Sequence, residues 1–157
     1  PLNFAETDLN KVMEDIIKRM TPLAAAKQIQ IHYSKEKEVL AEADEMKLTL
    51  AISNLVDNAI KYTPEGGNVT VVLDADHQNA FITVTDTGIG IPEDEINRIF
   101  ERFYRVDKTR DRETGGTGLG LSITYATVMM HNGSIKVNSK EEEGTSIQMR
   151  IPLHQNS

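Results

Sequence analysis

The chain contains no cysteine. That absence excludes a disulfide scaffold and any zinc centre built on thiolates. Long apolar runs are missing as well. None approaches the roughly 18 residues that a membrane-spanning helix needs, and no signal peptide opens the chain. Positive charge is scarce: 17 Lys and Arg stand against 24 Asp and Glu, a net charge of −7. A chain this acidic repels polyanions, which disfavours nucleic-acid binding through a basic face. There is no internal repeat and no low-complexity linker. What is present is ordinary for a globular protein, 39% hydrophobic and 26% charged residues, a balance unlike that of disordered chains. At about 150 residues per domain, 157 residues argue for one domain spanning 1–157. That length buries roughly two-thirds of the unfolded surface without a covalent or metal staple. The abrupt start, Pro1-Leu2-Asn3-Phe4, reads as a fragment of something longer.

Periodicity orders the elements. From Asp8, apolar Leu9, Val12, Met13, Ile16, Met20 and Leu23 recur at helical spacing, with Thr7 or Asp8 as N-cap. Pro22 should kink or end this helix. Ile29 to Tyr33 alternates like a strand. A second helix is predicted from about Asp44 to Tyr62, stopped by Thr63-Pro64-Glu65-Gly66-Gly67. Val69 to Leu73 and Ala80 to Thr85 form a hairpin. Pro92 to Phe103 reads as one or two short helices, and Arg105 to Gly118 as a long polar loop. A helix follows from about Gly118 to Met130, then a second hairpin of Ser134 to Asn138 and Ser146 to Ile151. The sum is an α+β sandwich, one mostly antiparallel sheet with helices on one face.

Three segments could carry chemistry. On the second helix, Leu48, Ile52, Leu55 and Ala59 form an apolar stripe. Roughly opposite run Asn54, Asn58 and Lys61, at i, i+4 and i+7. Asn is a weak helix former, so amides here suit ligands: amide oxygens for a hard cation, Lys for phosphate. A solvated helix face explains them equally well. Asp86-Thr87-Gly88-Ile89-Gly90-Ile91 ends an alternating strand. Its carboxylate could accept from an exocyclic amine such as adenine's, and its glycines permit close backbone approach; a plain Asx turn is the alternative. Gly115-Gly116-Thr117-Gly118-Leu119-Gly120-Leu121 opens a helix with bare N–H groups, an anion site or else a hinge. It matches neither a P-loop nor a dinucleotide fingerprint. Phe100 and Phe103 read as core or loop anchors, Tyr104 and Arg105 as residues able to face a nucleotide, and Lys108, Arg110 and Arg112 as solvated or phosphate-facing.

Taken in order, Asn54 to Tyr62, Asp86 to Gly90, Phe100 to Phe103 and Gly116 to Leu121 resemble the N, G1, F and G2 boxes. These mark the catalytic ATP-binding domain of bacterial sensor histidine kinases, and Gly144-Thr145 resembles that family's last glycine motif. The resemblance covers essentially the whole chain. It implies the Bergerat fold shared with gyrase, Hsp90 and MutL, with ATP held in the helical layer over a mixed sheet. It implies that Asn58 coordinates Mg²⁺ and that Lys61 and Tyr62 face the nucleotide. It further implies that Asp86 binds the adenine amine and that Arg105 and the lid glycines meet the phosphates. The expected nucleotide set is Asn54, Asn58, Lys61, Tyr62, Asp86, Gly88, Gly90, Ile91, Tyr104, Arg105, Gly116, Thr117, Gly118, Leu119, Gly120 and Leu121, with Asn58, Lys61 and Arg105 serving catalysis.

In that family the phosphate-accepting His lies on a separate helical dimerisation domain, followed by an acidic residue and Arg-x-Pro. None of His32, His77, His131 or His154 has that context. His131 sits at a helix end where a cation suits the dipole, and His131-Asn132-Gly133 fits a helix stop; all four histidines read as structural or surface residues. The expectation is a kinase domain that binds ATP·Mg²⁺ and phosphorylates a His on the dimerisation domain for relay to a response regulator. It would be cytoplasmic, within a membrane-anchored receptor, and would itself touch neither membrane nor nucleic acid. Rivals are a serine kinase of the anti-sigma type and a non-catalytic nucleotide sensor. Asn54 stands where ATPases of the superfamily carry a general-base Glu, so hydrolysis by water should be very slow. Arg105 to Thr117 is expected to act as a lid that orders over the triphosphate.

Overall fold

The computed structural model describes residues 2–100 and 119–155. The predicted lid from Arg105 to Thr117 lies outside them.

The first helix, α1, runs Leu9–Ala26 behind a short strand β1, Ala5–Asp8. Asp8 caps it by accepting from the Lys11 N–H at 3.2 Å. Its buried side, Leu9, Val12, Met13, Ile16, Met20 and Ala24, is the stripe read from the sequence. Pro22 does not end it. The ring sits on the exposed side between Thr21 and Leu23, where the carbonyl it leaves without a partner can face water. Buried Met20 and Ala24 hold the helix on either side of it.

Strands β2 (Gln30–Lys35) and β3 (Leu40–Ala43) follow, then helix α2 (Glu45–Lys61). Its cap is Asp44, which accepts from the Lys47 N–H at 3.1 Å. Leu48, Ile52, Leu55 and Ala59 are buried, as their spacing requires. A hairpin of β4 (Asn68–Ala75) and β5 (Asn79–Asp86) leads to a 3₁₀ turn, Glu93–Arg98. Helix α3 (Leu119–Met130) and a second hairpin, β6 (Ser134–Lys140) and β7 (Gly144–Pro152), complete the described chain.

Five strands form one sheet in the order β2-β4-β5-β7-β6. The pair β2/β4 is parallel and the rest are antiparallel. Val69, Val71 and Leu73 of β4, Ala80, Ile82 and Val84 of β5, and Ile147, Met149 and Ile151 of β7 alternate into the core beneath the helices. The expected sandwich with helices on one face is what forms. A separate two-stranded sheet, β1 with β3, was not expected. Among the described residues no helix is long and apolar enough to cross a membrane.

His131 is structural, as expected, but not as a cation at a helix end. It is fully buried. Its Nε2 accepts the Asp44 backbone N–H at 3.0 Å and its Nδ1 donates to the Thr127 carbonyl at 2.8 Å. With one nitrogen accepting, the ring is neutral in this arrangement. Phe4 packs edge-on against it, 5.4 Å between centroids. The Asn3 N–H donates to the Asp44 carboxylate at 3.0 Å, so residues 3–4 are tied to both α2 and α3. Asn132 takes the left-handed conformation (φ 62°) that ends α3, as the sequence implied.

Candidate functional site

An apolar cavity opens between α2, the end of β5, the segment 89–99, α3 and β7. Leu55, Ala59, Val84, Ile89, Ile91 and Ile99 supply most of its apolar wall. Among the described residues the fold sets one carboxylate into this wall, Asp86, where β5 stops. Asp86 Oδ1 accepts from the Gly88 N–H at 2.8 Å and from the Thr145 N–H at 3.2 Å. No described residue bonds Oδ2. Burial pushes the carboxyl up to about 6, outweighing the pull of the two N–H donors. An acceptor this poorly solvated, in an apolar slot, suits the N–H donor of a flat heteroaromatic ring.

The two glycines after Asp86 do permit close approach, and what approaches is the chain's own backbone. A Cβ on Gly88 would strike the Tyr62 carbonyl oxygen, which accepts from the Ile89 N–H at 3.2 Å. Gly90 has φ +74°, and a Cβ there would strike the Lys140 carbonyl oxygen. Beside it the Glu142 N–H donates to Ile89 O at 2.7 Å, and the Ile91 N–H to Ser139 Oγ at 2.8 Å. Gly88 therefore fastens the cavity floor to the end of α2, and Gly90 fastens it to the β6–β7 turn. Gly90→Ala is expected to lower stability by about 2–4 kcal/mol, from a left-handed alanine plus a displaced carbonyl. Urea unfolding measures this; an unchanged midpoint would mean that the contact carries no stability.

On α2, Asn58 and Tyr62 line the cavity, whereas Asn54 and Lys61 do not. Lys61 lies three residues, or about 60°, around the helix from Asn58. It pairs instead with Asp57 at 3.2 Å. Asn58 Nδ2 donates to the Asn54 carbonyl at 3.0 Å, and among the described residues its Oδ1 has no partner. Gly90, Ile91 and Leu121 also line the cavity; Gly88 does not. Leu119 and Gly120 fall in the first turn of α3. Tyr104, Arg105, Gly116, Thr117 and Gly118 lie outside the described residues, as do Lys108, Arg110 and Arg112.

One contributor escaped the sequence reading as an individual residue. Thr145 donates its N–H to Asp86, and its hydroxyl shares a hydrogen bond of 2.7 Å with that of Ser139. The motif Gly144-Thr145 was the signal available, but a backbone donor has no signature in a side chain.

Residues 43–155 match the family described as histidine kinase-, DNA gyrase B- and HSP90-like ATPase. The chain belongs to this family. The fold is accordingly the Bergerat fold, in the form it takes in histidine kinase catalytic domains. Among such ATPases the chain is 42% identical to the sensor histidine kinase RppB of Synechocystis sp. over 146 residues, 92% of this chain and 32% of that protein. It is 44% identical to the sensor histidine kinase WalK of Bacillus subtilis over 119 residues, 74% of this chain and 20% of that one. The chain thus spans a fifth to a third of these relatives. The catalytic domain of the histidine kinase ThkA superposes with a TM-score of 0.86 at 26% identity, covering 98% of this chain and 100% of that one. Full-length ShkA, solved in complex with AMPPNP, gives 0.84 at 28% identity, covering 100% of this chain and 32% of that one.

Proposed function

We propose that this chain is the ATP-binding catalytic domain of a sensor histidine kinase, passing the γ-phosphate to a His on a separate helical dimerisation domain for relay to a response regulator. The observation that carries the reading is Asp86, a half-buried carboxylate with one oxygen held by two N–H donors and the other turned to no described residue, in a slot lined mostly by apolar side chains. Adenine offers that slot a flat apolar ring and one amine. Guanine would set a carbonyl oxygen against the carboxylate. The similarity to ShkA, solved with a non-hydrolysable ATP analogue, points the same way. A cytoplasmic placement, where ATP is plentiful, follows from this reading.

Asn58 Oδ1 is the donor for Mg²⁺. It is a neutral oxygen without a described partner at the cavity edge, and magnesium usually takes few protein ligands beside substrate phosphates. The bound ion would supply charge neutralisation on the triphosphate. The chain's own part is positioning: the slot fixes the base and Tyr62 borders it, so that the γ-phosphate is presented outward. In the transfer, the bond from the γ-phosphorus to the β,γ-bridging oxygen breaks and a bond to the acceptor's imidazole nitrogen forms. The oxygen leaves with ADP. Asn54 cannot take a proton from water, so hydrolysis has no base at that position of the helix. His131 is buried with both ring nitrogens engaged, which bars it from acting as acceptor.

The test is titration of the chain with ATP·Mg²⁺, followed by incubation with γ-labelled ATP with and without a dimerisation domain. Expected are ATP binding, no acid-labile label on this chain, and label on the added domain. Absence of ATP binding, or stoichiometric phosphohistidine on this chain, would overturn the reading.

A further inference from the structure

The ATP cavity has two walls from segments far apart in sequence. The stretch 89–99 contributes Ile89, Ile91 and Ile99, and α3 contributes Leu121. On the β6 side, Ile91 and Ile89 fasten the first wall through Ser139 and Glu142. Its far end is fastened differently. Phe100 follows Ile99 directly, and its ring lies 5.6 Å from that of Tyr125, tilted by 31°. Tyr125 stands one helical turn beyond Leu121, hence on the same side of α3. The ring pair therefore joins the same two elements that Ile99 and Leu121 bring to the cavity. Ile99 is 1% exposed, whereas Tyr125 is 44% exposed. A tyrosine so open to solvent contributes little core burial, and its ring contact among the described residues is with Phe100.

We propose that Tyr125 is a positioning residue for nucleotide binding, holding Ile99 at the cavity wall through Phe100. This rests on the reading of the cavity as an ATP site. The contact acts on the base end of the nucleotide, so ATP and ADP should suffer alike. The aromatic ring matters and the hydroxyl does not.

The test is calorimetric titration of ATP and ADP into the wild type, Tyr125→Phe, Tyr125→Leu, Phe100→Leu and the double Leu variant, with unliganded thermal midpoints alongside. Tyr125→Phe is expected within twofold of wild type. Each single Leu variant is expected to lose about three- to tenfold in affinity for both nucleotides, the size of one aromatic pair. The double variant should lose no more than the worse single one, because both break the same contact. A loss below twofold in Tyr125→Leu, a Tyr125→Phe as weak as Tyr125→Leu, or additive losses would overturn the proposal. So would a lowered thermal midpoint with unchanged affinity, which marks a purely structural role. If Tyr125→Leu does not fold, Phe100→Leu decides on the same thresholds. A wild type that binds no ATP would remove the ATP reading and this inference together. A wild type that binds, with variants that do so equally well, removes this inference alone.

Discussion

Asp86→Asn is expected to bind ATP roughly ten- to hundredfold more weakly while the unliganded protein becomes harder to unfold. The first effect is the loss of a charge-assisted hydrogen bond to the adenine amine, worth about 1.5–3 kcal/mol. The second follows from what the fold does to the carboxyl. Its ordinary value is 3.8, and burial pushes it up to about 6 in the folded protein. The native state then holds the proton more tightly than the unfolded chain does. The stability Asp86 allows is fully present below pH 3.8 and is lost as pH rises through 6. At pH 7.5 the folded protein carries a poorly solvated charge at a cost of up to about 3 kcal/mol. An asparagine keeps an oxygen for the Gly88 and Thr145 N–H groups and does not titrate. The variant should gain about 1–3 kcal/mol at neutral pH, at about 2–4 °C of midpoint per kcal/mol. ATP affinity of the wild type should fall as pH drops below about 6, and the residual binding of the variant should not. Titrations and thermal melts from pH 5 to 8 check both. Wild-type ATP affinity in Asp86→Asn would remove Asp86 from adenine recognition.

The second large effect is expected at His131, some 45 residues along the chain from Asp86. His131→Ala should cost about 3–5 kcal/mol in urea unfolding. The Asp44 N–H would lose its acceptor in a buried place, about 1–3 kcal/mol, and the vanished ring leaves a void under Phe4. The Thr127 carbonyl still accepts the residue-131 backbone N–H at 3.1 Å, so only one group is orphaned. His131→Phe separates the terms: it fills the void and leaves only the orphaned N–H, so about 1–3 kcal/mol should remain. A loss below 1 kcal/mol in His131→Ala would mean that the junction of residues 3–4, α2 and α3 is held by other contacts.

These two sites show what local pattern can and cannot reveal. Helix α2 is legible because its period agrees with the break that Thr63-Pro64-Glu65-Gly66-Gly67 imposes after it. The hairpins were legible because alternation in β4, β5 and β7 matches a sheet with one buried face. The β1/β3 sheet was not. Its strands are four residues each, rich in Ala, Glu and Asp, and their partners lie 32 to 38 positions apart. Pro22 reads as a residue that kinks or ends the helix, but tertiary burial on both sides of it outweighs one lost hydrogen bond and the helix continues. His131 looked like a helix-end cation because its acceptor role depends on Asp44, 87 positions away. In the cavity, Asp86 and Asn58 announced themselves by residue type and motif. Lys61 did too, yet its position on the helix turns it toward Asp57. The glycines were recognised as points of close approach, but what they approach is a property of the folded chain only.

The order of the strands sets a schedule for synthesis. Strand β5 is completed at Asp86, but one of its two flanks stays open until β7, Gly144–Pro152, arrives beside it. The Thr145 N–H that holds Asp86 arrives on that same strand. A nascent chain emerging from the ribosome therefore has the Asp86 carboxylate, already held by the Gly88 N–H, about 60 residues before its second N–H donor. Until then the β5 edge is unpaired backbone, open to any extended segment nearby. The slot is complete only at the end of translation of this region, and a chain stopped before Gly144 would carry both an unfinished pocket and an adhesive edge.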